Sequence, residues 1–136
     1  MKTSIQLLQG VEGIKSAYES LLNEANLNIV CLSKKYFEVV GDYFDKQYTP
    51  RLYGSNILTR EILPDTKENR DEVKKKPTKN QVKFLKTNGS ESDIILTQDS
   101  VTFITFDRIC PYALIIHDLQ IVKSLKSQFE TLWQNL

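Results

Sequence analysis

The amino-acid sequence predicts a single α/β domain over residues 1–136, with a mixed β-sheet flanked by helices. The chain closes with an apolar, strand-like run at 112–116 that leads into a strongly amphipathic helix. Near its start, the predicted elements alternate as helix, strand, helix and strand, an order that favours parallel strands joined by a right-handed crossover. Between these regions, two short apolar segments at 93–97 and 101–106 predict an antiparallel hairpin.

The opening elements follow from the spacing of apolar residues. Apolar side chains recur three and four positions apart from about Ser4 to Ala25, which predicts one continuous amphipathic helix. Residues 28–32 are apolar and partly β-branched, so they predict a buried strand. Ser33 follows at a position suited to cap the next helix.

The second helix is rich in aromatic residues and is predicted to end near Pro50 or Gly54. Residues 56–63 then predict a second strand, which Pro64 terminates because proline cannot donate a backbone hydrogen bond. Together these elements predict that the two strands pair in parallel through a right-handed crossover.

The middle of the chain is polar. Residues 66–79 contain one large apolar side chain and predict either a short solvated helix or a loop that Pro77 closes. Three strands are predicted after it, with turns between them, at 80–87, 93–97 and 101–106.

Composition places the chain among ordinary globular domains. The formal net charge is +1, with 40% hydrophobic and 26% charged residues, which argues against global disorder. No run approaches the roughly 18 apolar residues that span a bilayer, so no membrane partner is predicted and a cytoplasmic location is expected. Cys31 and Cys110 both lie beside apolar residues and predict reduced core thiols, with a disulfide between them as the alternative.

Four motifs occur in a recognisable order. They are GVEGIKSAYESLL at 10–22, ILTREILPD at 57–65 and DIILTQDSV at 93–101. The fourth spans 115–133 and consists of Ile115, five further residues and IVKSLKSQFETLW at 121–133. Their order resembles the phospholipase-D-like domain that follows the winged helix in TrmB-type transcriptional regulators of archaea and bacteria. The resemblance covers residues 10–133, nearly the whole chain.

The resemblance implies one half of a phospholipase-D-like fold and a role in sensing an effector, often a sugar, or in dimerisation. We therefore expect a regulatory domain, a homodimer and a small-molecule effector. Met1 lies only a few residues before the predicted opening helix, so the winged helix is expected to be absent. We expect the chain to be either a part of a longer regulator or a free-standing module. In either case DNA would be contacted only through a winged helix outside this chain.

The residues of phospholipase D chemistry can be tested against the sequence. Those enzymes need a His-x-Lys motif, in which histidine accepts the phosphoryl group and lysine holds phosphate oxygens. Residues 93–106 contain neither histidine nor lysine, and the lone His117 precedes Asp118 and Leu119. The sequence therefore predicts no catalytic residues and a domain that is not an enzyme. His117 is interpreted as a strand-end residue bonded to backbone or to Asp118.

No metal site and no cofactor are predicted, because one histidine and two distant cysteines do not make a metal cage. The one electrostatic feature is a basic segment, which holds eight basic and three acidic residues at 67–86. It predicts either a solvated face or, as an alternative function, nucleic-acid binding by a degenerate nuclease-like module. The candidate contacts are Lys74, Lys75, Lys76 and Lys79.

Candidate ligand-binding residues follow from where pockets form in open α/β sheets, beyond the carboxyl ends of parallel strands. Ser33 and Asp65 are predicted there, and Arg51 and Arg60 could contact an anion or hydroxyl, with an ion pair at the sheet rim as the alternative for Arg60. The apolar stripes of the first and last helices either mediate dimerisation or cover the sheet.

Overall fold

The computed structural model describes residues 2–136 as one seven-stranded sheet with helices on both faces. The strands are β1 Ser4–Gln9, β2 Asn26–Val30, β3 Leu58–Pro64, β4 Asn80–Leu85, β5 Ser92–Leu96, β6 Ser100–Thr105 and β7 Tyr112–His117. The helices are α1 Gly10–Leu21, α2 Tyr36–Val40, α3 Thr49–Tyr53, α4 Lys67–Val73 and α5 Leu119–Gln134, with a π-helical turn at Phe44–Tyr48 before α3. The predicted α/β class with a mixed sheet is confirmed.

The strands lie in the order β1-β7-β6-β5-β2-β3-β4. The parallel pairing predicted for β2 and β3 is confirmed, and β4 extends it in parallel. The remaining neighbours are antiparallel, including the predicted β5–β6 hairpin. The polar segment forms α4, where the Thr66 hydroxyl accepts a hydrogen bond from the backbone N–H of Asn69 at 3.1 Å and caps the helix.

The predicted opening helix is wrong in its first part, because residues 4–9 form the edge strand β1. Gly10 ends that strand with a φ of +76°, a conformation that side-chain-bearing residues rarely adopt. Its N–H donates to the carbonyl of Pro111 at 2.8 Å. A Cβ at Gly13 would lie 2.5 Å from the backbone carbon of Leu8, so the first turn of α1 packs directly on the strand.

The single second helix is also a wrong prediction, because the segment breaks into α2, the π-helical turn and α3. Gly41 has a φ of +60° and interrupts the chain after α2. Ser33 does not cap α2 by a side-chain bond, since the cap position is Lys35. The Ser33 hydroxyl instead accepts from the backbone N–H of Lys35 at 3.3 Å. The predicted end at Gly54 is confirmed.

Two apolar clusters hold the layers together. On one face of the sheet, α1 contributes Ile14, Ala17, Tyr18 and Leu21 to the larger cluster. On the other face, α5 packs Phe129 and Trp133 in a second cluster that includes Ile62, Leu96 and Val101. The buried stripes of both helices therefore cover the sheet, and the predicted homodimer stays a prediction.

Cys31 is half-buried and Cys110 is exposed, and both are free thiols. The prediction of two core thiols is therefore wrong for Cys110, which lies in the loop between β6 and β7. Among residues 2–136, the helices are too short or too polar to cross a membrane.

Candidate ligand-binding site

A cavity of about 240 Å³ lies between the sheet and the segment from α2 to α4. Its floor comes from β2, β3 and β5, and its walls come from α1, α2, the π-helical turn, α3 and α4. The cavity lies on the face of the sheet that α1 covers, opposite the face that α5 covers. The residues that line it include Tyr18, Cys31, Tyr36, Phe44, Asp45, Tyr48, Thr49, Tyr53, Glu61, Asn69, Glu72, Lys75, Lys76 and Asp93.

Asp93 is the most unusual group in this cavity. Its side chain lies near the start of β5 with only 2% of the residue exposed. The carboxylate accepts a hydrogen bond from the backbone N–H of Ser33 at 3.1 Å and one from the thiol of Cys31 at 3.3 Å. Burial raises the pKa of Asp93 to about 6, against the lowering effect of these two donors. At neutral pH the cavity therefore holds a buried carboxylate that is costly to ionise.

An ion pair occupies the neighbouring strand. Glu61 of β3 and Lys76 form a salt bridge whose side chains are 9% and 11% exposed. Burial is the largest single influence and acts to lower the pKa of Lys76, but the charges and hydrogen bonds of Glu61 and Tyr53 together outweigh it, and the pKa is raised. The Lys76 ammonium also lies 5.3 Å from the centre of the Tyr53 ring. Lys76 is therefore part of the cavity wall, where its charge is neutralised by Glu61.

Aromatic rings form the opposite wall. The rings of Tyr18 and Phe44 meet edge to face with centroids 5.2 Å apart, and Tyr18 and Tyr48 have centroids 4.8 Å apart. Tyr36 adds a further ring at 5.3 Å from Phe44. Burial raises the pKa of Tyr18 and of Tyr48 well above the usual range, so these phenols stay neutral. The rings are therefore an uncharged π-surface.

The mouth of the cavity carries exposed charges. Lys75 and Glu72 of the α4 region form an ion pair at 3.0 Å, with both side chains mostly exposed. Asp45 lines the same opening from the π-helical turn. Two of the four acidic side chains that line the cavity are thus paired with lysines, and Asp45 and Asp93 make no salt bridge among the described residues.

The predicted ligand residues lie apart from this cavity. Ser33 contacts Asp93 through its backbone only. Arg51 donates to Glu19 at 2.9 Å, and Asp65 pairs with Arg70 at 2.6 Å. Hydrogen bonding by Arg51 lowers the pKa of Glu19, and that by Arg70 lowers the pKa of Asp65.

Arg60 lies on the other face, where it pairs with Glu130 and stacks on Phe129 and Trp133. The structure does not bring Ser33, Arg51, Arg60 and Asp65 into one site, and ligand binding by them stays a prediction.

The basic segment is largely used by the fold itself. Lys74 and Lys75 pair with Asp71 and Glu72 along α4, at 3.7 and 3.0 Å. The Lys79 ammonium donates to the carbonyl of Ile57 at 2.9 Å. Lys83 donates to the Trp133 carbonyl at 2.7 Å and so holds the end of α5. Only part of the positive charge in this segment faces solvent.

A wider and more open depression of about 800 Å³ lies between the β6–β7 loop and α2. Its charged residues are exposed and most are paired, since Lys35 bonds Glu91 at 3.0 Å and Arg108 approaches Glu38 at 4.0 Å, while Asp107 accepts a hydrogen bond from the backbone N–H of Ile109. After the other end of β7, the carboxylate of Asp118 accepts a hydrogen bond from the backbone N–H of Ile121 at 3.0 Å and so caps α5. It is not bonded to His117, which was the predicted alternative. The smaller, more enclosed cavity is therefore the better candidate site.

Sequence reasoning missed the residues of this cavity. Asp93 was visible as a carboxylate in phase with Ile95 on the inward face of an apolar strand, and a charge there signals a special environment. The aromatic wall was visible only as helix core, because Tyr36, Phe44 and Tyr48 fit one helical stripe. Their convergence on Asp93 depends on the break at Gly41.

The sheet order and the flanking helices define a phospholipase-D-like fold. No family model and no curated protein sequence matches the chain. Among solved structures, it is similar to NucT from Helicobacter pylori with a TM-score of 0.67 and 12% identity, over 98% of this chain and 97% of that one. It is also similar to TrmBL2, an archaeal chromatin protein whose structure shows a novel mode of DNA binding.

The TrmBL2 match has a TM-score of 0.60 and 16% identity and covers 96% of this chain. The chain spans 52% of the length of TrmBL2. Identities this low show the fold alone. The TrmB-like and phospholipase-D-like resemblance is thus supported as a likeness of fold.

The prediction that the domain is not an enzyme is corrected by the NucT match. NucT is a nuclease of the phospholipase-D-like fold, and the match covers 97% of its chain. The same fold therefore occurs in an enzyme. The lack of a His-x-Lys motif in residues 93–106 concerns only the reaction in which a histidine accepts the phosphoryl group.

Proposed function

We propose that this chain is the effector-binding domain of a TrmB-like, nucleic-acid-associated protein. The observation that carries the proposal is the buried carboxylate of Asp93, which faces a cavity instead of a cation. Burying a charge without an ionic partner is costly, and proteins keep such groups mainly where they act on something. The likeness to TrmBL2 supports the nucleic-acid-associated setting.

The architecture around the cavity also supports a sensing role. Its wall is built from short pieces, α2, the π-helical turn and α3, and π-helical turns occur frequently at functional sites. Such short elements make few regular hydrogen bonds, so a ligand that contacts them can change their packing at low cost. A ligand in the cavity would thereby alter the surface that this segment presents.

The test is ligand-dependent stability of the whole chain. Melting is followed with glucose, acetate and choline as neutral, anionic and cationic probes, because a ligand that binds the folded state raises Tm. Thr49→Trp fills the cavity from its wall, and Gln47→Trp places the same bulk on the exposed side of the π-helical turn. We expect a probe to raise Tm for the wild type and for Gln47→Trp, but not for Thr49→Trp. No shift with any probe would overturn the proposal.

A second candidate function is nucleic-acid binding through α4 and the end of β4. Lys67, Lys74, Lys75 and Lys86 are exposed there, and one structural neighbour is a DNA-binding chromatin protein. The test is the double change Lys74→Gln/Lys75→Gln against Lys123→Gln/Lys126→Gln on α5. Weaker DNA binding and a shallower salt dependence in the first variant alone would support this function. Equal binding by both variants and the wild type would exclude it.

A further inference from the structure

We propose that the cavity binds a small organic cation, an ammonium compound held by the aromatic wall with Asp93 as its counter-ion. This inference rests on the proposed function and names the ligand class of the same site. Three independent properties of the cavity support it, namely its charge, its π-surface and its size.

The charge of the cavity is negative. Four acidic and two basic side chains line it, and the two lysines are already paired with Glu61 and Glu72. Asp45 at the mouth and Asp93 at the floor are left, so a ligand meets two carboxylates along its path. An anionic ligand would be repelled, and a cation would supply the partner that Asp93 lacks.

The wall opposite Asp93 suits a cation for a second reason. Tyr18, Tyr36, Phe44 and Tyr48 form one connected group of rings, and the faces of such rings attract ammonium groups through their quadrupoles. The fold already uses this contact beside the cavity, where the Lys76 ammonium lies 5.3 Å from the Tyr53 ring. The phenols stay neutral, so the rings act on a cation through their quadrupoles and not through a charge.

The size of the cavity limits the ligand. A volume of about 240 Å³ corresponds to roughly eight water molecules at about 30 Å³ each. A compact amine with a similar number of heavy atoms fills it, whereas a disaccharide does not. Asp93 accepts two hydrogen bonds from the protein, and a carboxylate has about four acceptor positions, so acceptor capacity remains for the ligand.

The experiment compares choline with dimethylbutanol, the alcohol in which a carbon atom replaces the choline nitrogen. Calorimetric titration of the full chain measures both, with glucose as a third ligand. We expect choline to bind at least about tenfold more tightly than its neutral isostere. Asp93→Asn should weaken choline binding about tenfold or more and leave the isostere unchanged. Phe44→Leu keeps the apolar bulk and should weaken choline selectively, whereas Glu12→Gln, a charge change on exposed α1, should have no effect.

Equal affinity for choline and the isostere, or binding of glucose without choline, would overturn the cation proposal while leaving a ligand-binding cavity. Failure of all three ligands to bind would overturn the cation proposal, and the absence of a Tm shift with acetate as well would overturn the proposed function. Unchanged choline affinity in Asp93→Asn would likewise overturn the assignment of Asp93 as counter-ion.

Discussion

At the scale of single residues, Asp93 is a carboxyl group that the folded state keeps protonated up to about pH 6 and ionises above it. Its pKa is about 6 in the fold and about 4 in an unfolded chain, so the folded state binds the proton more tightly. Its stabilising contribution is therefore complete below about pH 4 and is lost as the pH rises through about 6. The neighbouring groups do not oppose this pH dependence, because Glu61 is paired with Lys76 and burial raises the pKa of Cys31, which keeps the thiol neutral.

Asp93→Asn should for this reason stabilise the protein at pH 7 by up to about 3 kcal/mol, the equivalent of two pKa units. The gain should disappear below about pH 4, where the wild-type carboxyl is neutral in both states. Urea unfolding across this pH range measures it. Asp42→Asn, an exposed change beside Lys46, serves as control and should be neutral. A stability difference that did not vary with pH would contradict the prediction.

The Glu61–Lys76 pair makes a second prediction at this scale. Lys76→Met removes the cation and leaves Glu61 buried without a partner, so the free energy of unfolding should fall by about 3 kcal/mol. Lys74→Met, which breaks an exposed pair on the same segment, should cost about 0.5 kcal/mol or less. Adding Glu61→Leu to Lys76→Met should recover much of the loss. Denaturant unfolding checks all three, and equal costs for the two lysine changes would contradict the argument.

At the scale of elements, the start of α1 shows how backbone geometry joins β1 to the domain. Gly10 adopts a positive φ, and Gly13 lets the helix touch the backbone of Leu8. Neither requirement is visible in an apolar pattern, because Ile5, Leu8 and Val11 fit a helical stripe. The pairing that makes residues 4–9 a strand is with β7, more than a hundred residues away in sequence, from Ser4 beside His117 onward. Local spacing therefore predicted the helix and could not predict the strand.

Gly13→Ala should consequently destabilise the domain by about 2 kcal/mol, since the new Cβ would overlap backbone atoms that cannot rotate away. Alanine is otherwise the better helix former, so propensity alone predicts the opposite sign. Thermal unfolding decides between these outcomes. Glu12→Ala, an exposed change one position earlier in α1, should have a small effect. A stabilised Gly13→Ala variant would show that the contact with Leu8 is relaxed in solution.

The elements that the sequence predicted well are those whose pattern is local. The β5–β6 hairpin, the parallel β2–β3 pair and α5 all follow from apolar periodicity and short turns. The candidate site was not predicted, because its residues come from eight elements between Tyr18 and Ile95. Its aromatic wall exists only because Gly41 interrupts what looks like one helix. Composition could show the tyrosines but not their meeting point.

At the scale of the whole molecule, the predicted homodimer calls for a measurement of mass. Most of the apolar stripes on α1 and α5 are occupied by the sheet, yet Ile5 and Leu7 on the edge strand β1 are 69% and 52% exposed. Edge strands with exposed apolar residues pair readily with other chains. Sedimentation should give twice the chain mass of 15.7 kDa. Ile5→Lys/Leu7→Lys should give single chains, and a wild-type monomer would end the dimer prediction.

The placement of Trp133 decides which optical signal can report on this protein. It is the only tryptophan of the chain, and it packs on the sheet face that α5 covers, stacked against Phe129 beneath the guanidinium of Arg60. Its emission will follow the detachment of the last helix during unfolding. A ligand in the cavity, on the opposite face of the sheet, will change tryptophan emission very little. Its binding will instead change the absorbance of the tyrosines that line the cavity.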